Sequence, residues 1–288
     1  MSFLAINRRK FIRLAVTTGV AALAADGAWI EPNNPRVVRQ QIALRRWPPQ
    51  LAGFTIALLS DFHYDEYFSV HPLRAAIAMV NNLHPDLIAL TGDFVSVPTF
   101  GDPASEAHNA DPCAELLKNL HAPYGTWAVL GNHDVFSDPK RVTSALRTEG
   151  INVLVNRSIP FEKDGARFWL SGVDDVLGMG ANLDAALSKV PANEPVVLMA
   201  HEPDYADYVS RYPVDLQLSG HSHGGQINLP LMRPLYLPPL GEKYVWGPYK
   251  IGGLILYTSR GIGTVLLPVR INCPPEITLL TLRPEIGR

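Results

Sequence analysis

The chain has 288 residues, of which 47% are hydrophobic and 18% are charged, a balance typical of a folded globular protein rather than a disordered or coiled-coil one. Four of its 25 basic residues lie in the first 24 positions, so the remainder carries 21 basic against 27 acidic groups, a net charge of −6. A body this acidic offers no basic face to nucleic acid, and we expect no nucleic-acid partner.

The first 30 residues have the pattern of an export signal. Arg8 and Arg9 precede a modestly apolar run from Leu14 to Ala25, and Ala22-Leu23-Ala24 has the small-residue pattern of a cleavage site. Paired arginines before such a run resemble a twin-arginine signal, which the twin-arginine export machinery reads. The 12-residue run is shorter than the roughly 20 residues of a membrane span. A basic amphipathic helix lying on a membrane or on the domain is the alternative.

We therefore expect a twin-arginine signal over residues 1–30 and one domain over residues 31–288. An uncleaved signal would act as a membrane anchor. The predicted location is periplasmic or otherwise extracytoplasmic. Cys113 and Cys273 do not form a metal-binding pair, and both a disulfide and two free thiols are compatible with the sequence.

Beyond the signal, short apolar runs alternate with helical patterns. The predicted strands cover residues 37–47, 54–60, 86–91, 125–130, 151–155, 168–171, 196–199, 216–218, 254–257 and 277–282. The predicted helices cover residues 72–83, 113–120 and 139–149. Apolar strands that alternate with helices predict a layered α/β fold.

Polar clusters follow five of the apolar runs. In chain order they are Asp61-Phe62-His63, Gly92-Asp93, Gly131-Asn132-His133-Asp134, His201 and Gly220-His221-Ser222-His223. Ligand sites of open α/β sheets lie beyond the carboxyl ends of strands, so we expect these clusters to converge. Imidazoles and carboxylates together suit divalent metals such as Zn, Mn or Fe. A single strand-end Asp or His is often only a cap or turn residue, but five clusters in succession favour a metal site.

This series of motifs resembles the calcineurin-like metallophosphoesterase superfamily over about residues 54–282. Residues 256–263 and 270–276 are similar to a bacterial branch of exported or membrane-associated phosphodiesterases, related to the UDP-diacylglucosamine hydrolases of lipid A synthesis. The resemblance implies a four-layer αββα sandwich of two mixed β-sheets. It also implies a phosphodiesterase or phosphatase with two divalent metal ions, in which a hydroxide bridging the ions attacks phosphorus.

The resemblance further implies a role for each polar residue. The first metal ion would be held by Asp61, His63 and His223. The second ion would be held by Asn132, His201 and His221, with Asp93 bridging both ions. The catalytic residue beside the phosphoryl group would be His133. Arg260 is a candidate for binding the phosphate, with a structural ion pair as the alternative.

Two departures from the family pattern affect these roles. Ser96 stands where the family often has an acid that orients the catalytic histidine, so whether Asp134 or another group orients His133 is open. The same loop lacks the Arg-Gly pair that follows this acid in protein Ser/Thr phosphatases. A phosphoprotein substrate is therefore disfavoured.

Three functions are compatible with the motifs. The first is an exported phosphodiesterase or phosphatase. The second is a pyrophosphate hydrolase of the UDP-diacylglucosamine type, acting on a lipid-linked substrate at the membrane. The third is a metal-binding module without catalysis. The apolar segment Ile227 to Leu240 would give a lipid-linked substrate a path to the site, and packing over the second sheet is its alternative role.

Overall fold

A computed structural model describes residues 7–285, and within them two six-stranded sheets lie at the centre. The strands are β1 (Arg36–Leu44), β2 (Thr55–Leu59), β3 (Leu87–Leu90), β4 (Thr126–Ala128), β5 (Asn152–Val153), β6 (Arg157–Lys163), β7 (Ala166–Gly172), β8 (Val196–Met199), β9 (Leu216–Ser219), β10 (Gly247–Ile251), β11 (Leu254–Thr258) and β12 (Glu276–Pro284). The helices are α1 (Arg8–Ala25), α2 (Val70–Leu83), α3 (Ala110–Leu117), α4 (Asn132–Ser137), α5 (Pro139–Thr148), α6 (Leu183–Leu187) and α7 (Ala206–Val209).

Both sheets are mixed. The first has the order β1-β12-β2-β3-β4-β5, in which only the β12–β2 pair is antiparallel. The second has the order β10-β11-β9-β8-β7-β6, with antiparallel pairs at its two edges. Strands β2, β3 and β4 are therefore parallel neighbours, as are β7, β8 and β9. The loops that follow them leave each sheet at one edge.

The two faces of each strand divide between two apolar layers. Ile56 and Leu58 of β2 lie in a core shared with Leu218 of the second sheet, whereas Ala57 and Leu59 pack under α2, α3 and α5. Helices α6 and α7 cover the outer face of the second sheet. This alternation follows from the two-residue period of a strand. It confirms the predicted αββα sandwich of two mixed sheets.

Two strands, β6 and β10, were not predicted, and both lie at edges of the second sheet. Pro160 lies within β6 and Pro248 lies in β10. Proline has no N–H to donate to a neighbouring strand, so within sheets it occurs mainly in edge strands. In a sequence, the same residue indicates a loop. Both strands also lack the continuous burial that marks the central strands.

Helix α1 projects from the domain, and no residue in it is buried. It continues through a π-helical turn (Asp26–Ile30) into a short 3-10 helix (Glu31–Asn33). The helical stretch Arg8–Asn33 is long and apolar enough to cross a membrane, by length and composition alone. The apolar run Leu14 to Ala25 is itself shorter than a typical span, and the helix continues beyond it through Asp26 and Glu31.

Candidate metal centre

The five polar clusters meet where strands of the two sheets end. The residues after the first sheet's strands are Asp61 and His63 after β2, Asp93 after β3, and Asn132 and His133 after β4. Those after the second sheet's strands are His201 after β8, and His221 and His223 after β9. Five of these side chains sit on backbone with a positive φ, between 40° and 68°: Asp61, His63, Asp93, His221 and His223. Non-glycine residues held in this region cluster at functional sites, because the surrounding structure must hold them there.

One group of candidate ligands consists of Asp61, His63 and His223, whose ligand atoms all lie within 4.8 Å of one another. Nε2 of His63 is 3.0 Å from Nε2 of His223, which is 3.6 Å from Oδ1 of Asp61. That Oδ1 accepts the backbone N–H of His221 at 2.8 Å. The buried Oδ2 of Asp61 has no hydrogen-bond partner among the described residues. A buried carboxylate oxygen left without a partner fits a metal ligand.

A second group consists of Asp93, His201 and His221, again within 4.8 Å of one another. Nδ1–H of His201 donates to the carbonyl oxygen of Thr91 at 2.5 Å, and Nε2–H of His221 donates to that of Pro239 at 2.8 Å. Each carbonyl fixes one ring nitrogen as the donor and leaves the other as a lone-pair ligand. For His201 the free atom is Nε2, which is buried and has no hydrogen-bond partner in the described chain.

Asp93 connects the two groups. Its Oδ2 is 3.4 Å from Nε2 of His63 and 3.1 Å from Nε2 of His201. Its Oδ1 accepts the backbone N–H of His133 at 2.9 Å. Burial opposes ionisation, but the neighbouring His201, His133 and His63 together outweigh it and hold the pKa of Asp93 well below its usual range. An ionised carboxylate thus lies between the two ligand groups, where a bridging ligand would be.

The predicted oxygen ligand Asn132 lies at the same place. It lines a cavity with Asp93 and His221, and its buried Oδ1 has no hydrogen-bond partner in residues 7–285. The structure therefore brings all seven predicted ligands together. Carboxylate, amide and imidazole donors in this number suit divalent metal ions.

His133 is oriented by the backbone. Its Nδ1 accepts the N–H of Val97 at 2.8 Å, so in the neutral ring the proton is on Nε2. Burial lowers the pKa of His133 to about 4. Its ring lies edge-on to that of His63, with centroids 4.7 Å apart. His133 also lines the cavity, so its Nε2–H is the donor that it can offer there.

Asp134 was a candidate for orienting His133, but its carboxylate bonds to backbone amides instead. Its carboxylate accepts backbone N–H groups of four residues: Asp93, Phe94, Val95 and Gly131, at 2.8 to 3.2 Å. It thereby fixes the two turns that carry Asp93 and Asn132. Ser96, at the place of the family's acid, lies with its Oγ 3.2 Å from Nδ1 of His63 rather than on His133.

Sequence reasoning missed the backbone groups that orient the three histidines. They are the amide of Val97 and the carbonyls of Thr91 and Pro239. Every residue carries such groups, so residue type gives no signal for them. Pro239 is 18 positions from the histidine that it orients, and only the path of the chain brings the two together.

Arg260 lies in the structural ion pair that was its alternative role. Its Nε donates to Oε2 of Glu276 at 2.6 Å, and its guanidinium lies 5.4 Å from the ring centroid of Trp246. The cysteines are also settled within the described chain, since Cys113 and Cys273 are both buried and free.

The cavity beside the ligands has a volume of about 610 Å³. Asp93, Asn132, His133 and His221 form its polar end. The rest of its wall is largely apolar and comes mainly from two loops, which contribute Leu235, Tyr236, Val265, Leu266 and Leu267. A substrate in this cavity would place a polar group against the candidate ligands and an apolar group against the loops.

A two-sheet sandwich with paired His/Asp ligand groups at its strand ends defines a class of metal-dependent phosphoester hydrolases. The family model for calcineurin-like phosphoesterases matches residues 54–225, a range that includes all seven candidate ligands and His133. The chain belongs to the calcineurin-like phosphoesterase family, and it is a hydrolase.

Three relatives span nearly the same length as this chain. It is 33% identical to the uncharacterized metallophosphoesterase YkuE of Bacillus subtilis, covering 96% of this chain and 98% of the relative. It is 32% identical to the phosphodiesterase YaeI of Escherichia coli, covering 96% and 99%. It is 27% identical to the UDP-2,3-diacylglucosamine pyrophosphatase LpxG of Chlamydia trachomatis, covering 93% and 96%.

Proposed function

We propose that this protein is a phosphodiesterase that uses two divalent metal ions. Asp61, His63 and His223 hold one ion. Asn132, His201 and His221 hold the other, and Asp93 is shared. The observation that carries the proposal is the position of Asp93 Oδ2, 3.4 Å from a ligand nitrogen of one group and 3.1 Å from that of the other. Mn, Fe and Zn all suit this donor set.

Bound divalent ions supply activated water and neutralise charge on the phosphoryl oxygens. The chain's own groups supply orientation and a hydrogen bond. Asp93 holds the backbone of His133 in place, and the amide of Val97 holds its ring. Nε2–H of the neutral His133 ring would then donate a hydrogen bond to a phosphoryl or leaving-group oxygen in the cavity and stabilise the charge that develops there.

Replacing the shared carboxylate tests this proposal. We expect Asp93→Asn to lose most hydrolysis of a chromogenic phosphodiester and to lower the content of both metals, measured by elemental analysis of the purified protein. The reason is that one ionised ligand serves both groups, and its loss removes charge from each. Asp164→Asn is the matched control, because Asp164 is an exposed carboxylate in the β6–β7 turn. Full metal content in Asp93→Asn would show that the ligands are assigned wrongly.

For the substrate class, we propose a phosphoester with a lipid or other apolar portion. The apolar loops that wall the cavity support this, as does the similarity to a relative named for a diacylated sugar nucleotide. Leu235 and Leu267 both line the cavity and are 62% and 58% exposed. Each therefore has one side on the cavity and one side in solvent, as the walls of an apolar access path do.

A pair of substitutions separates lipid from soluble substrates. In Leu235→Asp/Leu267→Asp, turnover of a long-chain phosphodiester should fall strongly while turnover of a short-chain one stays close to wild type, since only the long chain reaches the loops. The short-chain substrate is the control for folding and metal content. Equal loss on both substrates, or no loss on either, would leave a phosphodiesterase for soluble substrates.

A pyrophosphate hydrolase of the UDP-diacylglucosamine type is the second candidate, and the same apolar cavity favours it. Location separates the two, because UDP-diacylglucosamine is made and used on the cytoplasmic side. We propose that the chain is exported by the twin-arginine route, on the strength of Arg8 and Arg9 ahead of the apolar run. An exported enzyme would act on envelope phosphoesters rather than on the nucleotide. A module without catalysis is disfavoured, because all seven ligand types and His133 are present.

A further inference from the structure

We propose that two apolar loops at the mouth of the cavity, residues 227–240 and 264–269, form a rim that docks on a lipid bilayer. Six side chains of this rim are more than half exposed: Leu231, Met232, Leu235, Tyr236, Leu266 and Leu267. Contiguous exposed apolar groups of this kind mark a surface for a partner or a membrane. The proposal concerns the position of the protein and does not depend on which reaction it catalyses.

The backbone holds two of these leucines in an unfavourable conformation. Leu231 has a φ of 64° and Leu266 a φ of 63°, in the left-handed region that bulky side chains rarely adopt. One of them lies on each loop. Strained positions of this kind point to a role that outweighs their cost. In both loops this backbone conformation accompanies an exposed side chain, which is fully exposed at Leu231 and largely exposed at Leu266.

Hydrogen bonds join the two loops of the rim near the start of residues 227–240. The side chain of Gln226 donates through Nε2 to the carbonyl oxygens of Val265 and Leu267, both at 3.0 Å, and accepts the N–H of Val265 through Oε1 at 2.9 Å. The backbone N–H of Asn228 donates to the carbonyl oxygen of Ile271 at 2.8 Å. Because the loops are joined in this way, both would meet a flat surface together.

The base of the N-terminal helix is fixed to the strip of chain directly after the rim. The backbone N–H of Arg270 donates to the carbonyl oxygen of Gly27 at 2.9 Å, and the carboxylate of Glu31 accepts the N–H of Asn272 at 3.0 Å. The contact is close, since a Cβ at Gly27 would lie 2.8 Å from Cγ1 of Ile271. A helix able to cross a membrane therefore enters the domain beside the rim.

Exposed aromatic side chains lie around this junction. Trp29, Tyr67 and Phe68 are 72%, 80% and 60% exposed, and they line one groove together with Pro268 of the rim. Tryptophan and tyrosine are enriched where membrane proteins meet the lipid headgroups. The junction thus has the composition of an interfacial belt, at the height where the helix would leave the membrane.

Charge favours a bilayer over an acidic or basic protein partner. The rim contains no Asp or Glu, and its one charged residue is Arg233, although the body of the protein carries a net charge of −6. A face without carboxylates on an otherwise acidic protein can approach anionic headgroups with little charge repulsion. The occupant that we assign is therefore a bilayer that contains anionic lipid.

Site-specific fluorescence tests the docking. The full-length protein would carry an environment-sensitive dye on Leu231→Cys or Leu266→Cys and be reconstituted into phosphatidylcholine/phosphatidylglycerol vesicles that contain brominated lipid. The native cysteines are both buried, and the unsubstituted protein reports any background labelling. The control is Glu162→Cys, on exposed β6 opposite Arg167 of early β7, at the sheet end away from the metal centre.

We expect a blue shift and quenching by bromine at positions 231 and 266, and neither at position 162. Equal quenching at all three positions would overturn the proposal. A blue shift that depends on protein concentration and occurs without quenching would show that the rim contacts a second copy of this chain. That result would also overturn the proposal. The same labels in Asp93→Asn should behave as in wild type, so docking and catalysis can fail separately.

Discussion

At the scale of single residues, the centre relies on backbone groups to set its histidines. Thr91 and Pro239 fix the tautomers of two candidate ligands, and Val97 fixes that of His133. Each carbonyl accepts the N–H of one ring nitrogen, so the other ring nitrogen of that histidine keeps a lone pair for a metal ion. The Val97 amide does the reverse, since it donates to Nδ1 of His133 and so leaves Nε2–H as the hydrogen-bond donor of that ring.

His133→Ala should separate hydrogen-bond donation to the substrate from metal binding. We expect the variant to keep its metal content while turnover of the chromogenic phosphodiester falls by roughly 10² to 10³, the usual contribution of a positioned hydrogen-bond donor to transition-state charge. The reason is that the seven assigned ligands all remain, and alanine keeps the backbone N–H that holds Asp93. Loss of metal in this variant would place His133 among the ligands.

The amide at position 97 provides a finer version of the same test. Val97→Pro removes the N–H that holds the His133 ring, whereas Val97→Ala keeps that N–H and removes only the two methyl groups of the side chain. Turnover should fall in the proline variant and stay near wild type in the alanine variant, with metal content unchanged in both. An equal loss in the two variants would show that the side chain matters rather than the amide.

The residue types that follow the strands predicted a metal site, because metal coordination requires particular donor atoms and only a few side chains carry them. The resemblance to the family then supplied the seven candidate ligands and their roles. The same reasoning could not decide what orients His133. Ser96 and Asp134 were the visible candidates, and the structure uses them elsewhere, on His63 and on four backbone amides. For Arg260, residue type could not distinguish phosphate binding from an ion pair, since a guanidinium suits a phosphate and a carboxylate equally well. The fold places its Nε on the carboxylate of Glu276.

At the scale of elements, the turns after the strands must pass very close to one another. A Cβ at Gly131 would lie 2.7 Å from the backbone nitrogen of Asp93 and 2.8 Å from Cε1 of His201. Gly131 has a φ of −106° and a ψ of 179°, so any residue could adopt its backbone. The requirement for glycine there comes from space and not from conformation.

Gly131→Ala should therefore act through steric displacement of two ligands. We expect a drop in unfolding free energy of about 1–3 kcal/mol, the usual cost of overpacking, together with lower metal content and activity. Thermal or denaturant unfolding and elemental analysis measure the two effects. Gly253→Ala is the control, because no atom lies within 4 Å of its Cβ position. A fully active and fully stable Gly131→Ala protein would contradict the packing shown between these turns.

Central elements were predictable from sequence and edge elements were not. Strand β8 was predicted with its observed bounds, because a strand buried on both faces is a continuous apolar run between polar residues. Strands β6 and β10 are half exposed and contain proline, so neither their hydrophobicity nor their composition distinguishes them from loops. Pairing with a neighbour makes them strands, and pairing is a property of the folded chain.

At the scale of the whole molecule, the paired arginines should decide where the protein goes. We expect Arg8→Lys/Arg9→Lys to leave the protein in the cytoplasm, because the export receptor recognises the pair and not its charge alone. Cell fractionation with antibody detection measures this. Lys10→Arg, next to the pair, serves as the control and should be exported. Normal export of the double variant would remove the basis for the twin-arginine assignment.

The joint between α1 and the domain has a consequence for how the enzyme would search for substrate. Gly27 and Glu31 are bonded to residues 270–273, so the helix and the cavity are connected by a rigid joint rather than by a flexible tether. With the helix in a membrane, the cavity would stay at a fixed distance from the bilayer surface while the protein diffuses laterally. Its turnover would then follow the number of substrate molecules per unit area of membrane, and diluting them with inert lipid would slow it even when their bulk concentration is unchanged.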